Sequence, residues 1–247
     1  MTATSSAPDV RVVWRDERLA VIDKPAGVAV HRGWAPGGDD DEPLLQQVRD
    51  LLHAYVWLVN RIDRGASGAV LFALDAEAAR AASDLFVHGT VRKRYLAITR
   101  GHPPEHVVID HPIPREPGGE RVPAVTEIRR RDTFGRYALV EAWPRTGRLH
   151  QIRRHLKHIS CPLIGDVRYG KGEHNRLFRA EHGLHRLALH AAGLAFAHPF
   201  GGAPVDVDVP LADDLAAALA SARAAYAGSP LPESPESPES PEPSGTR

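Results

Sequence analysis

Val10, Val12 and Trp14 alternate with polar positions, Asp16-Glu17 interrupts the run, and Leu19 to Ile22 resumes it. Two short alternating runs across a polar break predict an opening β-hairpin. A Gly/Asp-rich stretch at 36–42 follows, and the apolar positions from Leu44 to Leu52 then recur at helical spacing. Tyr55–Val59 and Gly68–Ala73 read as buried strands on either side of a loop of charged and small residues. Asp75 is placed to cap a helix with Ala78, Ala82, Leu85 and Phe86 on one side and Gly89 after its end. Val91–Thr99 and Tyr137–Trp143 combine β-propensity with bounding breakers. Leu149, Ile152 and Leu156 share one helical face, which predicts a helix after Gly147. Leu194–Ala197, a Pro-Phe-Gly-Gly turn and Val205–Val209 predict a second hairpin, and an Ala-rich helix starts near Leu211. Strands that arrive mainly as hairpins predict an α+β fold with a mixed, mainly antiparallel central sheet, not a doubly wound parallel one.

With 247 residues, 43% of them apolar and 25% charged, the chain suits one globular body or two closely packed halves. No run approaches the roughly 18–20 apolar residues that span a bilayer. Met1 to Asp9 has neither a basic start nor an apolar stretch, so this flexible N-terminus is not expected to be a secretory signal. The single cysteine, Cys161, has no internal disulfide partner, which makes the cytoplasm the expected compartment. Residues 229–247 form a Ser-Pro-Glu repeat with little to bury and are expected to be disordered, leaving residues 10–228 as the folded domain. The formal charge is zero, but this tail holds four glutamates and one arginine. Without it the balance is 30 Lys+Arg against 27 Asp+Glu, a charge of +3. That balance permits a nucleic-acid partner without requiring one.

Two segments carry candidate chemistry. Asn60-Arg61-Ile62-Asp63-Arg64-Gly65-Ala66-Ser67-Gly68 puts a carboxylate between two arginines on a loop between apolar strands. Such a carboxylate can act at an anionic ligand, or it can be a salt-bridge partner that locks the loop. In the second, Arg145 to His158, an apolar stripe is surrounded by basic positions, six of them between Arg148 and Lys157 with no acid. A solvated cationic helix face is one reading. The self-repulsion of such a run favours the other, a phosphate-binding surface at a helix N-terminus. His150, His155 and His158 lie near one helix, but no metal-binding motif accompanies them, so no metal is expected. Cys161 reads as a small buried residue, not a nucleophile.

Taken together, these segments resemble the RluA-type pseudouridine synthases. That family carries His-Arg-Leu-Asp-x-x-Thr-Ser-Gly, to which Asn60–Gly68 is similar, and Arg-x-Gly-Arg-x-His-Gln-Ile-Arg-x-His, to which Arg145–His155 is similar. Cys161–Gly170 is similar to its Gly-x-Pro-Ile-x-Gly-Asp-x-x-Tyr-Gly. Asp23-Lys24-Pro25-Ala26-Gly27-Val28 before His31, and Lys93-Arg94-Tyr95-Leu96-Ala97, complete five matches in the family's order. His31–Trp34, His174-Asn175-Arg176 with Phe178, and Leu189-His190-Ala191 leading to His198-Pro199-Phe200 are most similar to the branch that modifies uridine 65 of tRNA. Three positions depart from the family: Asn60 stands for its histidine, Ile62 for its leucine and Ala66 for its threonine.

The resemblance implies a two-halved catalytic domain with its active-site cleft between the halves. It implies an isomerase that needs neither cofactor nor metal and acts on RNA; no obligate protein partner is evident in the sequence, and a monomer is expected. Asp63 would be the essential carboxylate, either attacking C1′ or removing the C2′ proton, with Arg153 beside it and Tyr95 stacked on the uracil. Arg61 would insert into the RNA stack as the base flips out. Arg64, His31, Arg145, Arg148, His150, Arg154 and Lys157 would bind RNA. The same reaction on ribosomal RNA, and an RNA-binding or chaperone protein that has lost catalysis, remain as alternatives. A glycosidase would need a second carboxylic acid near Asp63, and no sequence neighbour supplies one.

Overall fold

The structure is a computed structural model and describes residues 10–30, 42–116 and 118–227. His31, the following loop, the N-terminus and the Ser-Pro-Glu tail lie outside the described residues.

The opening hairpin is present as β1 (Arg11–Arg15) and β2 (Leu19–Lys24), which pair antiparallel. All six residues of β2 are buried, which makes it a central strand. Helix α1 (Leu44–Leu52) follows the expected stripe and buries Leu44 and Val48. β3 is shorter than its apolar run, only Trp57–Leu58, and Tyr55 is 69% exposed. Tyr55 sets its ring edge-on to Trp57, with centroids 4.5 Å apart, instead of entering the core. β4 (Ser67–Ala73) is wholly buried. Helix α2 (Ala76–Val87) starts where Asp75 accepts a hydrogen bond from the Ala78 backbone N–H, and it buries Ala78 and Ala82.

The second half begins with β5 (Arg92–Arg100) and continues through β6 (His106–Asp110), β7 (Ile113–Pro114), β8 (Arg121–Val122), β9 (Val125–Phe134) and β10 (Tyr137–Pro144). Helices α3 (Gln151–His158) and α4 (Gly172–His182), strands β11 (Leu189–Ala197) and β12 (Pro204–Asp208), and helix α5 (Asp213–Ala225) complete it. The main sheet has ten strands in the order β1-β2-β4-β11-β5-β10-β9-β6, with β3 added to β4 and β12 to β11. Among the described residues only the β4–β11 pairing is parallel. The fold is therefore α+β, with a mixed and mainly antiparallel sheet. One core cluster runs along both halves of the sheet. A second, under α4 and α5, gathers Tyr137, Phe178, Leu215 and Leu219.

The parallel ladder joining the halves is only two residues long, His190 to Ser67 and Ala191 to Gly68. Gly68 has φ +106, and a Cβ on it would lie 2.2 Å from the Ala191 carbonyl oxygen. The close approach thus admits no side chain. Beside it, Ser67 Oγ and His190 Nδ1 are 2.9 Å apart in a fully buried pair. Gly89 has a similar φ, +70, but its nearest neighbour to a Cβ is 3.8 Å away. Gly68→Ala should therefore cost at least ~3 kcal/mol of folding stability and Gly89→Ala only about 1 kcal/mol. Urea denaturation of the two variants checks this, and equal midpoints would refute the steric account.

Candidate active site

Asp63 sits on the loop between β3 and β4, and the chain fixes that loop from several sides. Its carbonyl accepts from the Ala66 N–H at 3.0 Å, closing a tight turn. Ile62 and Ala66 are buried under it, which explains why an apolar residue serves at position 66. Asn60 Oδ1 accepts from the Leu71 backbone N–H at 2.7 Å, so the residue at the family's histidine position ties the loop to β4. The next carbonyl, that of Arg64, accepts from the Gly27 N–H at 2.8 Å and from Lys24 Nζ at 3.1 Å. Lys24 is fully buried, and its ammonium also donates to the Pro25 and Val28 carbonyls at 2.7 and 2.9 Å. The turn after β2 and the loop of Asp63 therefore meet on one buried lysine.

Arg153 comes from the first turn of α3. Gln151 anchors that turn. Its Oε1 accepts from Thr146 Oγ1 at 2.7 Å and from the Arg148 N–H at 3.0 Å, and its Nε2 donates to the Val125 carbonyl at 2.9 Å. Arg153 Nη1 then donates to Asp63 Oδ2 at 2.9 Å. Its other edge makes a bidentate pair with Asp166, Nε to Oδ2 at 2.7 Å and Nη2 to Oδ1 at 2.9 Å. Asp166 is 1% exposed and also accepts from the Arg168 and Tyr169 N–H groups. Burial works against the Asp166 charge, but Arg153 and those two N–H groups outweigh it and hold the carboxyl below its usual range. Burial likewise opposes the charge of Arg153, and Asp166 and Asp63 outweigh it. Arg153 of the basic run thus finds its anionic partners inside the chain.

Tyr95, on β5, is partly exposed against the main core. Desolvation, and after it the charge of Asp63, hold its phenol well above the ordinary value, so it stays protonated. His150 precedes α3 in the left-handed conformation, φ 55 and ψ 29. That conformation cannot continue a right-handed helix, so α3 starts at Gln151 and Leu149 is left 43% exposed outside the predicted stripe. His150 Nε2 lies 4.0 Å from Asp63 Oδ1, and its Nδ1 lies 3.2 Å from the Tyr169 hydroxyl. Asp63, Arg153, His150 and Tyr95 therefore share one site.

The other basic residues divide. Arg61 and Arg64 are exposed beside Asp63, and Arg64 Nε donates to the Gly27 carbonyl at 2.7 Å. Arg145 and Arg148 are exposed; Arg145 reaches Glu127 at 3.3 Å and Arg148 the Pro123 carbonyl at 3.2 Å. Arg154 is braced inward, with Nε on the Tyr169 hydroxyl at 3.0 Å and Nη1 on the Pro114 carbonyl at 2.7 Å. Lys157 is exposed in the last turn of α3, about 10 Å along the helix from His150 at 1.5 Å per residue. His155 is buried between Thr126 and the His111 carbonyl, and His158 stacks on His111 at 3.7 Å. Among the described residues no group of three His, Cys, Asp or Glu could hold a metal ion. Burial pushes the Cys161 thiol up to about 11, which suits an inert core residue. Asp166 and Tyr169 are the site residues to which the sequence alone gives no role, although both stand in a quoted motif.

A sheet of two halves joined beside an arginine-held carboxylate fits an RNA-modifying isomerase, and comparison with known proteins agrees. The RNA pseudouridylate synthase family matches residues 18–158, more than half of the chain. A tRNA pseudouridine synthase C of Vibrio cholerae is 36% identical over 217 residues, covering 79% of this chain and 88% of the relative. The Haemophilus ducreyi protein of the same name is 37% identical over 213 residues, covering 77% and 86%. Among solved structures, human RNA pseudouridylate synthase domain containing 4 superposes with a TM-score of 0.71 at 28% identity, covering 86% of this chain and 92% of its own. Human RNA pseudouridylate synthase domain containing 1 gives 0.70 at 25% identity, covering 85% and 86%. The chain belongs to the RNA pseudouridylate synthase family and is of the RluA type.

Burial pushes Lys24 down to about 7 from the ordinary 10.5. Between those values the unfolded chain binds more protons than the folded one, so stability rises with pH through that window. Lys24→Met should remove about 1–2 kcal/mol of that rise between pH 7 and 8.5. It should also lower stability at pH 7 by about 1–3 kcal/mol, because three carbonyls lose their donor. Urea titrations at the two pH values measure both effects; a Met variant that keeps the wild-type slope would show that Lys24 does not titrate there.

Proposed function

We propose that this enzyme converts a uridine of tRNA, uridine 65 by the similarity of its relatives, into pseudouridine, with Asp63 as the essential carboxylate. The observation that carries the reading is the Asp63–Arg153 contact at 2.9 Å. It fixes one oxygen of a carboxylate on a rigid loop and leaves the other turned toward the site. The reaction breaks N1–C1′ and forms C5–C1′ with no change in redox state, so it requires no cofactor. Asp63 acts at the sugar, as a nucleophile at C1′ or as the base that takes the C2′ proton. Tyr95 supplies a protonated phenol and a ring against the uracil. Arg61 enters the stack vacated by the flipped nucleotide.

Arg61, Arg64, Arg145, Arg148 and Lys157 are the exposed cations that meet phosphate, and His31, outside the described residues, is assigned to the same task. The inward bonds of Arg154 favour a role in bracing the site over direct RNA contact. The protein works as a monomer in the cytoplasm. No helix of the described residues is long and apolar enough to cross a membrane.

Wild-type protein should release tritium from C5-labelled uridine in tRNA, and Asp63→Asn should do so at least ~1,000-fold more slowly. Release from ribosomal RNA alone would move the substrate assignment. Binding of both RNAs with no release from either would overturn the enzymatic reading. Affinity for tRNA should also fall steeply with salt. Removing one phosphate-binding cation, as in Arg148→Ala, should flatten the log–log salt slope by about 0.7–0.9. An unchanged slope would remove Arg148 from the interface.

A further inference from the structure

We propose that His150 is a neutral hydrogen-bond donor to the uracil O2 as the glycosidic bond breaks. The inference rests on the reading of Asp63 as the carboxylate that acts at C1′. When N1–C1′ opens, its electron pair leaves with the base, and the negative charge spreads over N1 and the adjacent carbonyl oxygens. A donor aimed at O2 stabilises that charge without itself transferring a proton.

The two oxygens of Asp63 are not equivalent. Oδ2 is occupied by Arg153 Nη1 at 2.9 Å, whereas Oδ1 faces His150 Nε2 at 4.0 Å. That separation is too long for a hydrogen bond, and a ligand atom set to one side of the line between them can contact both. A sugar carbon brought to Oδ1 carries N1 as its substituent, and O2 is the carbonyl oxygen nearest that bond. Nε2 makes no hydrogen bond to the described residues.

The proposal takes the tautomer in which Tyr169, whose hydroxyl oxygen accepts from Arg154 Nε at 3.0 Å, gives its own proton to His150 Nδ1 at 3.2 Å. The imidazole hydrogen then sits on Nε2 and points at Asp63 and the substrate position. Burial, aided by the charges of Arg153, Arg168 and Arg154 and opposed by Asp63, lowers the imidazole below its ordinary range and keeps it neutral.

The test is an atom-specific double cycle on the full-length protein. Single-turnover rates and tRNA affinity are measured for wild type, His150→Ala and His150→Asn. The substrates are a tRNA transcript with ordinary uridine and one made with 2-thiouridine, whose sulfur is a poor acceptor at that position. His150→Ala should slow the uridine transcript roughly 100-fold, as loss of one oxyanion-hole donor does, with affinity changed less than about 3-fold. On the 2-thiouridine transcript the same variant should lose less than ~3-fold, because the acceptor is already absent. His150→Asn suits the left-handed backbone and keeps a donor, so it should unfold at the wild-type temperature and recover part of the rate. Equal losses on both transcripts, a loss of affinity instead of rate, or no loss would overturn the proposal. Those outcomes leave Asp63 untouched, whereas a wild type inactive on every RNA would bring down the reading of Asp63 and this inference with it.

Discussion

The guanidinium of Arg153 lies between two carboxylates that come from different parts of the chain, Asp63 before β4 and Asp166 after α3. A buried arginine with one carboxylate removed is left with uncompensated charge, at a cost of about 3–5 kcal/mol. The fold therefore has to deliver all three groups together. Gln151 fixes the first turn of α3, the Arg168 and Tyr169 N–H groups fix Asp166, and Lys24 and Gly27 fix the loop that carries Asp63. The side-chain-free approach of Gly68 to Ala191 sets how near the two halves of the sheet come. Geometry at the carboxylate is thus inherited from the sheet join and from two loops that cross it.

This arrangement also sorts the basic residues by work. Arg153 and Arg154 turn inward, the first to carboxylates and the second to Tyr169 and a backbone carbonyl. Arg61, Arg145, Arg148 and Lys157 remain at the surface, where a flexible cation is of use to a phosphate backbone. A stretch that reads as one cationic face in sequence is therefore two populations. One builds the site and the other is available to the substrate.

Much of this was legible in the residues. The Asp75 cap, the α1 stripe and the two hairpins follow local rules of periodicity and capping, and they formed where those rules predict. The Asp63 and Arg153 pairing was legible only through the resemblance, since ninety residues separate the two in sequence. The short β3 and the late start of α3 were not legible, because each depends on one side chain or backbone choice: Tyr55 turning onto Trp57, and His150 taking a left-handed conformation. Strand β9 was not legible because it carries charged residues on its open face, such as Arg131, which pairs with Glu141 of β10. Asp166 and Tyr169 stand in a quoted motif, but nothing local gives them a role. Their roles exist only in contacts made across the fold.

Asp166 aims Asp63 by holding Arg153, and Asp166→Asn tests that dependence most directly. Asparagine can keep the Oδ1 acceptor used by the Arg168 and Tyr169 N–H groups while losing the charge and the Nε contact on Arg153. The measurement is single-turnover pseudouridine formation on tRNA alongside tRNA affinity. The proposed role of Asp63 predicts a rate lower by roughly 10–100-fold, with affinity within about 2-fold of wild type. A variant that folds, binds and reacts at the wild-type rate would contradict it.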